Sequence, residues 1–284
     1  MKEFDCAEFL QQCLPMLRLR WEGFRKVHGQ VCKRLSRRVC ELGLSGYSSY
    51  KDYLEDHPDE RIVLDSICRI TISRFYRDRG VFNALWSEIL PSLAKDILLS
   101  GGHELSCWSA GCCSGEEAYT LQILWKVRVV PAIRHELPLR IIATDINRDV
   151  LRRAREGCYP ESSLRDLPKE LIREAFTQSG KSFTVKEPFR DDIEFAEQDI
   201  RTQLPGRSFH LILCRNLVFT YFEEALQKEI LAGMIERLRH GGILALGIHE
   251  SLPHAVSDLV PYDNAPGIYK RQNDGNMVCE GREV

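Results

Sequence analysis

Two acidic residues stand directly after a glycine-rich turn in the segment CWSAGCCSGEEAYT, which runs from Cys107 to Thr120. The small residues at 110–115, with Gly111 among them, predict a tight turn. Glu116 and Glu117 then open a segment that we predict to be helical at 118–127. The apolar residues ahead of the turn predict a strand. A strand, a glycine turn and a helix in this order bring backbone N–H groups to the carboxyl end of a central strand, where nucleotide-like ligands bind.

The charge of this turn discriminates between such ligands. Glu116 and Glu117 suit the positive end of the helix dipole, but they would repel a pyrophosphate at that position. The turn therefore favours a ligand that carries positive charge and no phosphate. S-Adenosylmethionine, which has a sulfonium and an α-ammonium group, meets both conditions.

Polar residues also follow two other predicted strands. LRIIATDI predicts a buried strand with Asp145 at its carboxyl end, where an acid can hold two ribose hydroxyls. Alternatively, Asp145 caps the helix NRDVLRRAREG that follows. FHLILCRN, Phe209 to Asn216, predicts a further buried strand that ends in Arg215 and Asn216. Polar side chains there are costly to bury without partners, which favours a site role.

Two further segments offer candidate ligand contacts. An arginine cluster at 74–79 includes Arg77, whose planar guanidinium can bind a carboxylate. With Asp78 in the same cluster, the alternative is a salt-bridged joint between two domains. Asp199 and Ile200 follow another predicted strand. There the acid would accept a hydrogen bond from the adenine amine and the isoleucine would pack on the ring, or the pair belongs to a plain loop.

Hydrophobic periodicity predicts the elements that must position these groups. It indicates an α/β protein with a doubly wound, Rossmann-like sheet, a helical N-terminal domain at 1–70, a second domain at 71–284 and an antiparallel insertion at about 157–198. After about Pro253 the pattern weakens, and we expect the last dozen residues to fray. The more detailed predictions are an amphipathic helix at Gly80–Leu98, a helix at Tyr119–Val130 that stops before Pro131, a helix at Leu164–Phe176, strands at Ser182–Lys186 and Asp192–Ala196, a long helix ended by Gly241 and Gly242, and a fifth main-sheet strand in ILALGIHES.

A basic helix is predicted within the N-terminal domain. Val31, Leu35 and Val39 form its apolar face, and it should end at Gly43 or Gly46. Its basic residues either form a solvated face or dock an acidic partner. They are Lys33, Arg34, Arg37 and Arg38.

Composition excludes several classes of protein. A formal net charge of −2 argues against bulk nucleic-acid binding. The sequence lacks an apolar run of the ~18 residues that a membrane span needs, and MKEFDCAEF lacks a signal-peptide pattern, so we expect a cytoplasmic protein without membrane insertion. The 11 cysteines include no CxxC pair, which indicates free, partly buried thiols in a reducing compartment and no metal site.

With these residues identified, the chain resembles the CheR family of chemotaxis-receptor protein-glutamate methyltransferases. The resemblance covers most of the chain, from the basic helix to GIHES. Five motifs carry it in order: SRFYRD for T-x-F-F-R-[DE], CWSAGCCSGEEAY for W-S-A-x-x-S-x-G-E-E-x-Y, IIATDIN, CRN followed by YF, and GG-x-L-x-x-G-x-x-E.

The resemblance implies a set of site residues. Arg77, Arg215 and Tyr221 are its implied catalytic residues, with Tyr221 beside the transferred methyl group. The segment Arg215 to Phe222 is one residue longer than the family's R-N-V-x-I-Y-F. The implied S-adenosylmethionine contacts are Thr71, Ser73, Arg77, Gly111, Glu116, Asp145, Asp199, Ile200, Cys214 and Arg215.

Three functions remain open at this point. The first is methylation of glutamate carboxylates in a protein, with an acidic chemoreceptor helix docked on the basic helix. The second is methylation of a different protein or small-molecule carboxylate, which the longer segment at 217–222 favours. The third is a non-catalytic module that only binds the cofactor; the presence of Glu116, Asp145, Arg215 and Tyr221 argues against it.

Overall fold

A computed structural model describes residues 5–263 and 265–272 of the chain. This part of the chain forms two compact units. The first unit runs to Thr71 and also takes in Asn216–Lys228. The second unit comprises Ile72–Arg215 and resumes at Glu229.

The α-helices are defined first, in chain order. They are α1 (Cys6–Cys13), α2 (Trp21–Phe24), α3 (His28–Glu41), α4 (Tyr47–Asp56), α5 (Glu60–Cys68), α6 (Arg79–Ala84), α7 (Leu90–Leu99), α8 (Glu116–Leu124), α9 (Val130–Ile133), α10 (Arg148–Glu156), α11 (Lys169–Ala175), α12 (Val218–Tyr221) and α13 (Glu224–Arg237).

The strands follow the same convention. They are β1 (Leu105–Ala110), β2 (Leu139–Asp145), β3 (Cys158–Pro160), β4 (Phe176–Ser179), β5 (Ser182–Val185), β6 (Ile193–Glu197), β7 (Phe209–Cys214), β8 (Leu238–Ala245), β9 (Leu259–Pro261) and β10 (Ile268–Arg271).

The first unit is built from short helices around a small apolar core. Phe9, Leu10, Val31 and Leu35 are fully buried there, and the spacing of the last two places them on one face of α3. α3 ends two residues before Gly43, which has a φ of +66°, as the sequence predicted.

Cys6 and Cys32 form a disulfide within the first unit. The prediction that the cysteines are free thiols is therefore wrong for this pair. Two cysteines 26 positions apart in sequence show no motif, and only the packing of α1 near α3 brings their Cα atoms to 5.8 Å. Cys279 lies outside the described residues.

The second unit contains a mixed sheet in the order β6-β2-β1-β7-β8-β10-β9. From β1 the chain adds β2 and then β6 on one side, and it then crosses to the other side of β1 and adds β7 and β8. All neighbouring pairs among these five strands are parallel. This reversal makes the sheet doubly wound and Rossmann-like, as predicted. The carboxyl ends of β1, β2 and β7 consequently meet at the point where the strand order reverses, which is where such sheets bind ligands.

The predicted insertion forms a separate antiparallel sheet in the order β3-β5-β4, but it ends earlier than the predicted boundary at about 198. β6 lies inside the predicted range, yet it belongs to the main sheet, where it pairs in parallel with β2. The segment predicted as a helix at Leu164–Phe176 is shorter in the structure. It consists of a 3-10 turn at Glu161–Leu164 and then α11, and Phe176 already belongs to β4.

The predicted helix end before Pro131 is wrong. α8 continues into a π-helical turn at Trp125–Val129 and then α9, which has the proline in its first turn. A second π-helical turn at Leu85–Ile89 precedes α7 and its own early proline. Proline cannot donate the N–H that would bond to the preceding turn, and the wider π turn gives its ring room, so the helix continues without a break.

The carboxyl-terminal part of the sheet also differs from prediction. α13 ends at Arg237, and Gly241 and Gly242 lie within β8, which begins at Leu238 rather than in ILALGIHES. The register shift between β7 and β8 accommodates these glycines, since Gly241 has a φ of +74°. Beyond Pro253, β9 and β10 extend the sheet in antiparallel pairing. The fraying predicted for the last dozen residues falls outside the described residues.

Candidate active site

The glycine turn after β1 has the conformation that its small residues predict. The N–H groups of Gly111 and Cys112 both donate to the carbonyl oxygen of Thr144, at 2.8 and 2.9 Å, which ties the turn to β2. Gly115 has a φ of +87°, and a Cβ there would lie 3.0 Å from both Ala154 and Phe195. Only glycine fits this position, because the turn packs closely against α10 and β6.

Asp145 is bound to this turn. Its Oδ2 accepts the N–H of Cys113 at 2.9 Å, and its Oδ1 accepts the N–H of Asn147 at 2.9 Å. The alternative that Asp145 caps α10 is wrong, since Asn147 is the N-cap and accepts from Asp149 and Val150. Asp145 thus stands at the carboxyl end of β2 with its carboxylate directed to the glycine turn.

Glu116 is a buried carboxylate at the first position of α8, with 2% of its surface exposed. Burial raises its pKa above the ordinary value, while hydrogen bonds that include those from Ser73 and Ser114 act in the opposite direction. Its Oε2 is buried and has no hydrogen-bond partner among the described residues. An acceptor left in this state is suited to a cationic donor.

The thiols in the turn are not nucleophiles at neutral pH. Burial raises the pKa of Cys113 to about 12 and that of Cys112 well above its ordinary value. Nearby carboxylates, Asp145 and Glu116, act in the same direction. Both cysteines are therefore packing residues of the turn.

Arg215 follows β7 and makes an internal ion-pair network. Its Nη1 donates to Glu117 at 2.9 Å, and its Nη2 donates to Asp78 at 2.9 Å and to the carbonyl of Arg77 at 2.7 Å. Only 3% of the side chain is exposed. Its Nε is buried without a hydrogen-bond partner among the described residues.

The segment around Arg77 has an unusual backbone. Tyr76 and Asp78 have φ values of +57° and +60°, a region that residues other than glycine rarely adopt. Arg77 between them is half-buried and donates to the carbonyl oxygen of Ile72 at 3.0 Å. Such strain persists where the surrounding structure imposes it, and it is typical of functional sites.

The arginine cluster makes ion pairs, but they lie within the second unit and do not form the predicted joint between two domains. Arg74 pairs with Asp166 at 2.5 Å, and Arg79 lies 3.9 Å from the same carboxylate. Asp78 instead pairs with Arg215.

The predicted adenine contacts lie after β6. Ile200 is 8% exposed. The carboxylate of Asp199 accepts hydrogen bonds from Nε and Nη2 of Arg201 at 2.9 and 2.8 Å, so the guanidinium of its neighbour already satisfies much of its charge. Cys214, the last residue of β7, is fully buried beside Ala110 of β1.

Two of the predicted contacts belong to the first unit. Thr71 is exposed and is the last residue of the unit's opening segment. Tyr221 ends α12, and its ring meets that of Phe24 edge to face at 5.1 Å. α12 packs closely on α2: a Cβ at Gly23 would come within 2.3 Å of the carbonyl oxygen of Thr220.

The basic residues of α3 divide into two kinds. Arg38 forms a bidentate pair with the buried Glu60, at 2.8 and 2.7 Å, and Arg34 donates to the carbonyl of Arg69 at 2.9 Å. Lys33 and Arg37 are exposed, four positions apart on one face. The first pair serves the packing of the first unit, and the second pair is the accessible part of the basic face.

Comparison with known proteins identifies the family. The CheR methyltransferase, SAM binding domain matches residues 71–264. The chain belongs to the CheR methyltransferase family. It is therefore an S-adenosylmethionine-dependent methyltransferase of the CheR type.

Relatives of this CheR-family chain extend over most of its length. A chemotaxis protein methyltransferase of Borreliella burgdorferi is 33% identical, over 77% of this chain and 78% of that protein. One of Listeria monocytogenes is 32% identical, over 72% and 76%. Among solved structures, the N-methyltransferase NodS of Bradyrhizobium japonicum in complex with S-adenosyl-L-homocysteine is 16% identical, with a TM-score of 0.30, over 57% of this chain and 61% of that chain.

The buried polar atoms of this CheR domain fit the family's cofactor. Glu116 Oε2 is an acceptor without a partner, and Arg215 Nε is a donor without a partner; both belong to the second unit. The amino-acid end of S-adenosylmethionine carries an ammonium and a carboxylate, which have the complementary hydrogen-bonding capacities.

Two polar residues of the CheR domain that were not among the predicted site residues are Asp78 and Glu117, the partners of Arg215. Both stand at acidic positions of the motifs, directly after Arg77 and Glu116, but the motifs do not indicate their partner. No local pattern indicates that Arg215 pairs with Asp78, 137 positions earlier, and with Glu117, 98 positions earlier.

A cleft of about 830 Å³ lies elsewhere in the CheR domain, among His210, Arg239, Lys270, Arg271 and the side of α7. Burial lowers the pKa of His210 to about 4, so this histidine is neutral near pH 7. The cleft is distinct from the cofactor edge of the sheet, because His210 and Leu238 stand near the amino ends of β7 and β8.

Across residues 5–263 and 265–272, no helix has the length and hydrophobicity that a membrane span requires.

Proposed function

We propose that this CheR-family methyltransferase methylates glutamate side chains of a chemoreceptor-type protein and forms methyl esters. The observation that carries the proposal is the match of residues 71–264 to the CheR domain, together with relatives of similar length whose names specify chemotaxis protein methyltransferases. A chemoreceptor's methylated region would be cytoplasmic, so we also propose a cytoplasmic location for the enzyme.

The cofactor supplies an electrophilic methyl group on a sulfonium. We assign its ammonium to Glu116, its carboxylate to the Nε of Arg215 and its ribose hydroxyls to Asp145. Gly111 shapes the turn beneath it, Asp199 and Ile200 stand at the adenine end, and Ser73, Cys214 and Thr71 complete the contacts that the motifs imply. Arg201 already pairs with the carboxylate of Asp199. We therefore expect the packing of the buried Ile200 to contribute more to adenine binding than a hydrogen bond to Asp199 does.

A glutamate acceptor needs no general base. Its ordinary pKa of about 4.3 leaves it ionised near neutral pH, so a carboxylate oxygen can attack the methyl carbon directly. The new C–O bond forms as the C–S bond breaks, and the electron pair of that bond goes to sulfur. Catalysis then consists of placement and exclusion of water.

Arg77 is the residue that we assign to orient the acceptor carboxylate. Both Nη atoms of Arg215 already donate to protein oxygens, whereas the hydrogen bond of Arg77 goes to a single backbone carbonyl and leaves other donors of its planar fork. Tyr221 keeps the role beside the methyl group that its motif position implies.

For the acceptor we propose an acidic helix that docks on the basic face of α3. Lys33 and Arg37 would make the contacts, since both are exposed, and Arg34 and Arg38 would support them from their internal pairs. Opposite charge across such a surface chiefly raises the rate and specificity of association.

The test is transfer of a labelled methyl group from S-adenosylmethionine to a chemoreceptor cytoplasmic fragment. Base-labile label on the wild-type fragment, absent from a fragment whose glutamates at the methylated positions are replaced by glutamine, would support the proposal. Label found only on another protein or a small molecule would contradict the receptor substrate. Tight cofactor binding without any transfer would indicate the non-catalytic module.

A further inference from the structure

We propose that Asp78 and Glu117 are positioning residues for methyl transfer, and that they act through Arg215. The inference rests on the cofactor and acceptor roles proposed above for Glu116, Arg215 and Arg77. It adds two residues to the site and gives Arg215 a second task, which is to join two segments that contact the ligands.

The three side chains form one buried charge cluster. The guanidinium of Arg215 is 3% exposed, and the carboxylate-bearing side chains of Asp78 and Glu117 are 15% and 14% exposed. Both hydrogen bonds between them measure 2.9 Å. The Cζ of Arg215 also lies 4.9 Å from the ring centroid of Phe82, which covers the cluster.

One side of the cluster holds the segment that carries Arg77. Nη2 of Arg215 donates to the carbonyl of Arg77 and to the carboxylate of Asp78. Tyr76 and Asp78, on either side of Arg77, both have positive φ. A left-handed backbone at non-glycine residues is unfavourable, so it needs contacts of this kind to persist. The ion pair between Asp78 and Arg215 thereby fixes the position of the Arg77 backbone, from which its side chain extends.

The other side of the cluster holds the start of α8. Glu117 accepts from Arg215 through Oε2 and from the hydroxyl of Ser109 through Oε1, at 2.7 Å. Glu117 directly follows Glu116, whose Oε2 is the unpartnered acceptor. A shift of the first turn of α8 would therefore displace the carboxylate that we assign to the cofactor's ammonium.

The cluster also orients the one guanidinium nitrogen of Arg215 that has no hydrogen-bond partner among the described residues. Three of the five N–H groups donate to Glu117, to Asp78 and to the carbonyl of Arg77, and Nε is the nitrogen left without a protein partner. Loss of either carboxylate would remove one of the three hydrogen bonds that fix the guanidinium, and the orientation of Nε would be held less firmly.

The test compares Asp78→Asn and Glu117→Gln with Asp192→Asn. Asp192 is a control of similar burial, since its side chain is 16% exposed and pairs with Arg140 at 2.5 Å and with Lys126 at 2.9 Å in the same unit. Its contact with α8 is a hydrogen bond from Gln122 near the carboxyl end of that helix, away from Glu116 and Glu117. Each variant is assayed for S-adenosylhomocysteine affinity by calorimetry, for KM and kcat with labelled cofactor, and for thermal unfolding.

We expect Asp78→Asn and Glu117→Gln to weaken S-adenosylhomocysteine binding and raise the cofactor KM about tenfold, the loss typical of one charge-assisted hydrogen bond. The double variant should lose less than the product of the single losses, since both carboxylates act through one guanidinium. Asp192→Asn should lower the melting temperature similarly and leave cofactor affinity at the wild-type value.

Wild-type affinity and KM in both variants would overturn the proposal. So would an affinity loss in Asp192→Asn equal to theirs, since that would reflect reduced stability alone. The calorimetric measurement needs no acceptor, so it still reports on the cluster if the receptor fragment proves not to be the substrate.

Discussion

The backbone N–H of Cys113 donates a 2.9 Å hydrogen bond to Oδ2 of Asp145. This bond joins the glycine turn after β1 to the acid at the carboxyl end of β2. Asp145 therefore shapes the turn in addition to its proposed role at the ribose. Asparagine keeps one oxygen acceptor, loses the charge and replaces the other accepting oxygen by an NH2 group, so Asp145→Asn keeps at most one of the two backbone hydrogen bonds.

We predict that Asp145→Ala abolishes measurable S-adenosylhomocysteine binding in calorimetry and that Asp145→Asn weakens it by about tenfold or more. Asp149→Asn, an exposed carboxylate on α10 with 76% of its side chain accessible, should bind like the wild type. Unchanged affinity in Asp145→Ala would rule out the ribose assignment.

Glu116 should make stability depend on pH in a defined direction. Burial raises the pKa of Glu116 in the folded protein above its ordinary value, so the folded protein holds this proton more tightly than the unfolded chain does. The resulting stabilisation is fully present at pH values below the pKa of Glu116 in the unfolded chain. It is lost as the pH rises through the higher pKa of Glu116 in the folded protein. Glu116→Gln, which does not titrate, should remove this contribution.

The measurement is denaturant unfolding of the ligand-free protein at a series of pH values upward from 4.5. We expect the wild type to lose stability relative to Glu116→Gln as the pH rises. Saturating S-adenosylhomocysteine should reduce that difference, because its ammonium would balance the ionised carboxylate. Parallel pH profiles for the two proteins would contradict the prediction.

Gly115 should tolerate no side chain. Its φ of +87° and the 3.0 Å approach of Ala154 and Phe195 both oppose a Cβ. We predict that Gly115→Ala destabilises the protein by about 2 kcal/mol in denaturant unfolding. Gly180→Ala is the control: its φ is +59°, but nothing lies within 4 Å of a Cβ there, so it should lose only the backbone part of this energy.

The Cys6–Cys32 disulfide should stabilise the first unit. Closing a loop between residues 26 positions apart contributes roughly 3.5 kcal/mol in the chain-entropy estimate. Reductant, or the double substitution Cys6→Ser with Cys32→Ser, should lower the free energy of unfolding by about that amount. Cys40→Ser, at an exposed free thiol, should have no such effect. Equal stability with and without reductant would show that the bond does not contribute.

The proposed docking face can be tested by charge reversal. Lys33→Glu and Arg37→Glu should raise the KM for an acidic receptor fragment, with a larger effect at low ionic strength, and should leave S-adenosylhomocysteine affinity unchanged. Lys95→Glu reverses a similarly exposed charge on α7 and should leave the KM at the wild-type value. A similar change in KM in all three variants would indicate a net-charge effect and no defined face.

Sequence patterns were sufficient where the information is local. Buried alternation and apolar runs predicted β1, β2 and β7 with their polar ends, and Gly43 predicted the end of α3. Sequence patterns did not predict short elements that form only through pairing with their neighbours. β9 spans three residues and β10 four, which is too short to show a period, and both exist through pairing with the edge of the sheet. Pro131 signalled a helix end locally, but a π-helical turn carries the helix past it.

The sequence by itself determined the α/β fold, the glycine turn with its acids, and a set of motifs specific enough to indicate the family. These features depend on residues that are close together in the chain. Only the tertiary structure decided that Arg215 pairs with Asp78 and Glu117, that Asn147 rather than Asp145 caps α10, and that Cys6 meets Cys32. Hydrogen bonds and disulfides form between groups a few ångströms apart in space. The order of strands in the sheet sets those distances for Arg215, and the packing of α1 near α3 sets them for the two cysteines.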